Sequence, residues 1–306
     1  MSKSGNLPNL LIIGAMKSGT TSLHYYLDLH PEICMSRAKE LNFFIEEFNW
    51  NQGVQWYRSH FLGQAKIYGE SSPNYTRYPK WKGVPHRIFS VIPETKLIYL
   101  VRDPIERIIS HYIHFYSNNM ENRSIDEALA KFDGNLYVDR SKYFFQLEQY
   151  FSYFSNSNIL ILTSEELLDY PQKAMKKVFQ FLEVDDSFQF KFRAKNLSDF
   201  LRFGPAIFNS NFQFNMKLHE SSRKRRITMP KHNSVMAALA MTLQHLPPEL
   251  RCHLEKVMYR PFSQKIERPR MSDALRDRLL EYLADDIKRL QSYAECDFKE
   301  WNISPS

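Results

Sequence analysis

Cysteine is scarce in this 306-residue chain, which holds only Cys34, Cys252 and Cys296. Three widely spaced thiols propose neither a disulfide framework nor a metal site. Long apolar runs are missing as well. The greasy stretch at Leu10 is far too short to cross a bilayer, and the N-terminal Met1-Ser-Lys-Ser-Gly-Asn-Leu-Pro8 has no apolar signal-peptide core. These absences predict a soluble, cytoplasmic protein, or the catalytic domain of an anchored enzyme cut from its anchor. There are no internal repeats or low-complexity tracts. The formal net charge of +7 favours anionic partners. Nucleic acid is not expected among them, because zinc-ligand spacings, RNA-recognition aromatics and repeated basic–aromatic patterns are lacking.

What is present concentrates at strand-to-helix junctions. Leu10–Gly14 reads as a strand buried on both faces, and Thr20 to Leu29 has the apolar spacing of a helix. The turn between them carries Lys17, Ser18, Gly19, Thr20 and Thr21 into a helix N-terminus, where free N–H groups and the helix dipole favour an anion. An ordinary triphosphate loop places its lysine after the second glycine and follows it with a hydroxyl for magnesium. Here the lysine precedes Ser18-Gly19-Thr20-Thr21. A second strand, Lys96–Val101, runs into Arg102-Asp103-Pro104, with Asp103 placed to cap a helix and Ser110 about two turns along it. A third, Ile67–Glu70, ends in a carboxylate before Pro73 breaks the strand. One reading of Glu70 is a carboxylate that braces a loop through a nearby Lys or Arg.

Together these segments resemble the sulfotransferases that use 3′-phosphoadenosine 5′-phosphosulfate (PAPS), in particular the heparan-sulfate and related bacterial branches. Lys17 to Thr21 match the K-x-G-T-[ST] loop that holds the 5′-phosphosulfate. The segment from Arg102 to Tyr112 matches R-D-P-x-x-R-x-x-S-x-Y, which implies that Arg102 and Ser110 contact the 3′-phosphate, while Arg107 is read as a structural ion-pair residue. Glu70-Ser71-Ser72-Pro73-Asn74-Tyr75 matches E-[KS]-[ST]-[AP]-x-Y, whose glutamate is the proposed base. Lys39-Glu40-Leu41-Asn42-Phe43-Phe44 is similar to K-E-x-x-F-F, which makes Lys39 either a second catalytic cation or a solvated loop lysine. Trp56 and Tyr57 match a further aromatic pattern read as core packing, and Tyr143 is read the same way. Ser222, Arg223 and Lys224, within the basic run Lys217–Lys231, are proposed to close over the 3′-phosphate or to form a solvated surface.

The expected fold is α/β: a P-loop-type parallel sheet flanked by helices, with strands at 10–14, 67–70, 96–101 and 159–163. Helices are predicted over 85–92, 105–116, 143–154 and 171–182, and Thr163-Ser164-Glu165-Glu166 reads as a further helix start. A cofactor-binding core over 8–183 is expected to precede a largely helical extension over 184–306 that ends in an amphipathic helix from Ser272 to Leu290. The resemblance implies a single PAPS-dependent sulfotransferase domain, with a saccharide or other alcohol as acceptor and no metal in the site. Two rivals are a P-loop kinase or hydrolase and a non-catalytic nucleotide- or glycan-binding protein.

Overall fold

The computed structural model describes residues 5–189, 225–227 and 263–303. The chain forms two compact units, one of residues 1–108, 129–192 and 272–306, the other of 109–128 and 193–271.

The first unit is built on five parallel strands: β1 (Leu10–Gly14), β2 (Ile33–Met35), β3 (Ile67–Ser71), β4 (Lys96–Val101) and β5 (Ile159–Thr163). Their order is β2-β3-β1-β4-β5, which puts β1 at the centre. Leu11 lies opposite Glu70 on one side of β1 and opposite Leu97 on the other. Strands with helices on both faces must be apolar throughout, and every residue of β1 and β3 is buried. Parallel pairing also requires crossovers. Helix α1 (Thr20–Asp28) connects β1 to β2, α2 (Gly53–Arg58) lies between β2 and β3, and α3 (Val84–Val91) lies between β3 and β4. Leu23 and Leu27 of α1 pack with Leu10, Ile12, Ile98 and Leu100 into the main core cluster.

Helix α4 (Pro104–Ser117) follows β4, and then come three short helices, α5 (Ile125–Ala128), α6 (Leu136–Asp139) and α7 (Tyr143–Leu147). After β5 come α8 (Ser164–Asp169) and α9 (Pro171–Leu182). Thr163 caps α8 by accepting from the Glu166 amide at 3.0 Å, the helix start expected from its sequence. The C-terminal α10 (Asp273–Ala294) lays the stripe Leu275, Leu279, Leu283, Ile287 and Leu290 into the core. Asp286 of α10 accepts from the Phe144 and Phe145 amides at 3.0 and 2.8 Å and so caps α7 across the fold. In the second unit, Arg225–Ile227 (β6) pairs antiparallel with Ser263–Lys265 (β7).

Three features differ from the sequence expectation. Strand β2 is only three residues long, too short to show a period. β3 runs one residue past Glu70 to Ser71. The predicted helix over 143–154 stops at Leu147 and tightens into a 3₁₀ turn over Glu148–Tyr150. Apolar residues three or four apart suit either geometry, so the spacing alone did not separate them.

Candidate active site

The anion-binding turn forms at the C-terminal end of the central strand. The Ala15 amide donates to the Leu100 carbonyl at 2.6 Å, which continues the β1–β4 ladder beyond β1. Lys17 and Gly19 then adopt positive φ, 73° and 94°, on either side of Ser18. Alternation of this kind turns successive N–H groups towards a shared concavity. A β-carbon at Gly19 would meet only ordinary contacts, Ser164 Oγ at 3.5 Å, so the demand for glycine there comes from the backbone angle. Helix α1 begins with no side-chain cap and no acid in its first turn, which leaves its positive end open to an anion. The Ser18 hydroxyl is fully buried and has no hydrogen-bond partner among the described residues. A buried orphan hydroxyl within such a loop fits a phosphate or sulfate oxygen as its partner.

On the strand beside β1, opposite Leu11, stands Glu70, which is 0% exposed. Tyr75 donates to its Oε1 and Ser72 donates to its Oε2 at 3.5 Å. The Tyr57 hydroxyl lies beside the carboxylate without meeting hydrogen-bond geometry. Around them Phe43 stacks on Tyr57 with ring centroids 4.2 Å apart, and Phe44 packs edge-on to both Tyr57 and Tyr75. This apolar cage pushes the Glu70 carboxyl up to about 7 through burial, and the hydroxyls of Tyr75, Tyr57 and Ser72 beside it oppose the shift only in part. Among the described residues the carboxylate is held by hydroxyls, and none of its hydrogen bonds comes from a Lys or Arg. Tyr75 also lines a cavity of about 120 Å³ with Tyr78, Trp81, Gln149 and Tyr153.

On the other side of β1 is the end of β4. Arg102 is half-buried and faces Glu106 at 3.4 Å. Its backbone is fixed from two sides: Tyr143 donates to the Arg102 carbonyl at 2.7 Å, and the next residue, Asp103, caps α4 by accepting from the Ile105 and Glu106 amides at 2.9 and 3.0 Å. The second Asp103 oxygen accepts from the Asn302 amide at 2.9 Å, tying the C-terminal segment to this junction. Arg107 is fully buried and donates to Ser141 Oγ at 2.6 Å and to the Tyr137 carbonyl, a structural role. Ser110 lies half-buried on α4, within the second unit.

Lys39 is partly buried and pairs with Glu40 at 3.1 Å. Trp56 packs on Phe43 and His60 and has only aromatic neighbours there. Ser222, Arg223 and Lys224 lie outside the described residues. Two tyrosines close on Glu70 that the sequence reading gave no chemical role: Tyr75 was visible as the last residue of the glutamate motif, while Tyr57 had been assigned to packing. Arg140 was missed altogether. Its guanidinium is buried, with Nη1 at 2.7 Å from Met16 Sδ beside Lys17. Burial, with Arg77 and Arg107 as charge neighbours, lowers its pKa.

The framework is that of a P-loop-type α/β protein. A profile of the Sulfotransferase domain matches residues 7–246, and the chain belongs to the sulfotransferase family. It is 42% identical over 114 residues to the membrane-associated sulfotransferase kil1 of Dictyostelium discoideum, a match that covers 36% of this chain and 23% of kil1. It is 28% identical over 190 residues to human heparan sulfate glucosamine 3-O-sulfotransferase 5, covering 58% of this chain and 54% of that one. The crystal structure of a sulfotransferase from Alicyclobacillus acidocaldarius has the same fold, with a TM-score of 0.62 at 22% identity over 97% of this chain and 99% of that one. The chain spans from about a quarter to about half of the length of the curated relatives it matches. Among the described residues no helix is long and apolar enough to cross a membrane.

Proposed function

We propose that the protein transfers a sulfuryl group from PAPS to a hydroxyl, or an amine, of a saccharide or other alcohol. The observation that carries this reading is the buried Glu70, its carboxyl pushed up to about 7 by burial, near the end of the strand beside the one that opens into the turn. When bound, PAPS supplies the activated sulfuryl group and a phosphate leaving group. Lys17, the Ser18 hydroxyl and the amides of Gly19 to Thr21 hold the 5′ end and stabilise negative charge that develops there. Arg102 and Ser110 hold the 3′-phosphate. Glu70 accepts the proton of the acceptor hydroxyl, and a carboxyl poised near pH 7 is well matched to that task. Because the carboxylate is fully buried with one hydroxyl on each oxygen, the acceptor hydroxyl takes the place of the Tyr75 or Ser72 hydroxyl to reach it. Lys39 supplies a second cation. The aromatic walls of the cavity at Tyr75 suit the apolar face of a sugar ring.

Calorimetry with a chelator present tests the donor. 3′-Phosphoadenosine 5′-phosphate is expected to bind much more tightly than AMP or ATP. Arg102→Ala should weaken binding by about 2–3 kcal/mol, the loss of a charge-assisted hydrogen bond. Equal affinity for AMP, or binding that requires magnesium, contradicts the assignment.

A further inference from the structure

One buried titratable group beside the site has no part in the chemistry described so far. His24 lies on α1, one turn past the phosphate-binding turn, and is 6% exposed. Its Nδ1 is 2.9 Å from the hydroxyl of Ser71, the residue that follows Glu70. The ring also bonds the Ser36 backbone just beyond β2, and Lys39 is its closest charged neighbour. A buried neutral imidazole has one donor and one acceptor nitrogen. The bond to Ser36 favours the protonated ring, so it runs from Nε2–H to the Ser36 carbonyl. That leaves Nδ1 as the acceptor and the Ser71 hydroxyl as its donor. Burial and Lys39 hold the imidazole pKa down, to about 3, so the ring stays neutral at every working pH.

Ser71 is the meeting point of the same network. Its carbonyl accepts from the Glu40 amide at 2.9 Å, its neighbour Ser72 accepts from the Asn42 amide at 3.0 Å through Oγ, and the Ser36 amide bonds the Gly69 carbonyl at 2.8 Å. The segment carrying Lys39 is therefore hung on the end of β3, and the end of β3 is tied to α1 through one side chain. We propose that His24 is a positioning residue, whose neutral ring holds Ser71, and through it Glu70, in register with the helix that begins at the phosphate-binding turn. The inference rests on the sulfotransferase reading. It assigns the catalytic contribution to the Nδ1–Ser71 bond and only stability to the bond with Ser36. Positions at a reacting centre must hold to within a few tenths of an ångström, which is the precision such a tie can supply.

Amide side chains separate the two bonds. The Oδ1 of His24→Asn replaces Nδ1 and can accept from Ser71, whereas the terminal amide of His24→Gln reaches the Ser36 side. Turnover at saturating PAPS and acceptor is measured for His24→Leu, His24→Asn, His24→Gln and Ser71→Ala, together with melting temperature and affinity for 3′-phosphoadenosine 5′-phosphate. His24→Leu and Ser71→Ala should each lower kcat roughly 10- to 100-fold, with KM and nucleotide affinity within about twofold. His24→Asn should restore most of the loss and His24→Gln little of it, and the double variant should lose no more than either single one. If His24→Leu does not fold, Ser71→Ala and the two amide variants decide alone. Unchanged kcat with a lowered melting temperature, or equal rescue by Asn and Gln, overturns the inference. A wild-type protein that binds the nucleotide and transfers nothing overturns the function on which it rests.

Discussion

At the scale of single residues, the proposed function gives Glu70 both the chemistry and the pH response. Turnover should rise with pH along a limb whose apparent pKa is near 7, because the carboxyl must lose its proton before it can take one from the acceptor. Glu70→Gln should keep nucleotide affinity, lose the limb and lower turnover by roughly two to four orders of magnitude, read from the pH dependence of kcat. A stability effect of opposite sign accompanies this loss. The folded-state pKa lies above the ordinary 4.5, so the folded protein binds the extra proton and stability falls as pH rises from about 4.5 to about 7. Above that window the buried carboxylate is a burden of up to about 3 kcal/mol. Glu70→Gln should therefore melt higher than the wild type at pH 8 while being far less active. Lower stability at pH 8 with turnover retained would mean that the carboxylate braces the loop.

At the scale of elements, the β4–α4 junction positions Arg102 through Asp103 and Tyr143. Asp103→Ala removes the α4 cap and leaves the Asn302 amide without its acceptor, which should cost about 1–2 kcal/mol in denaturant unfolding. Tyr143→Phe removes the bond to the Arg102 carbonyl and should weaken nucleotide binding several-fold with little change in kcat. Four of the five strands, the Asp103 cap and the Thr163 cap were legible in the sequence, because each depends on local pattern: an apolar run, a capping side chain, a proline in the first helical turn. The bond from Tyr143 to Arg102, the capping of α7 by Asp286 and the cage around Glu70 were not. Each joins residues distant in sequence whose local spacing is that of plain core packing. Lys17, Gly19, Glu70 and Arg102 were legible because strand-to-helix junctions mark themselves, and the structure sets Glu70 and Arg102 on strands either side of the one that opens into the turn. His24 read as one more residue of an amphipathic helix.

At the scale of the whole molecule, buried carboxyls shift stability with pH in the same sense, Glu70 and Asp286 among the most strongly perturbed. Burial lifts Asp286 to about 6, as it lifts Glu70 to about 7. Both favour the folded state while protonated, so thermal stability should decline between about pH 4 and pH 7 wherever these groups dominate. His24 acts in the opposite sense: its folded pKa near 3 lies below the ordinary 6.5, so its contribution is lost as pH falls through that interval. The Glu70→Gln variant should flatten the decline above pH 6, and His24→Asn should flatten the loss on the acid side, both read from melting temperature against pH.

The central claim is that the turn after β1 and the carboxylate at the end of β3 form one sulfuryl-transfer site. It is tested most directly by incubating the wild-type protein with PAPS and a panel of saccharide, alcohol, phenol and peptide acceptors in the presence of a chelator, with mass detection of each acceptor. The account predicts that a hydroxyl- or amine-bearing acceptor gains the mass of one sulfuryl group, with an equal amount of 3′-phosphoadenosine 5′-phosphate released and transfer unaffected by the chelator. Transfer that stops when magnesium is removed, or no acceptor modified and no nucleotide released across the panel, would contradict it.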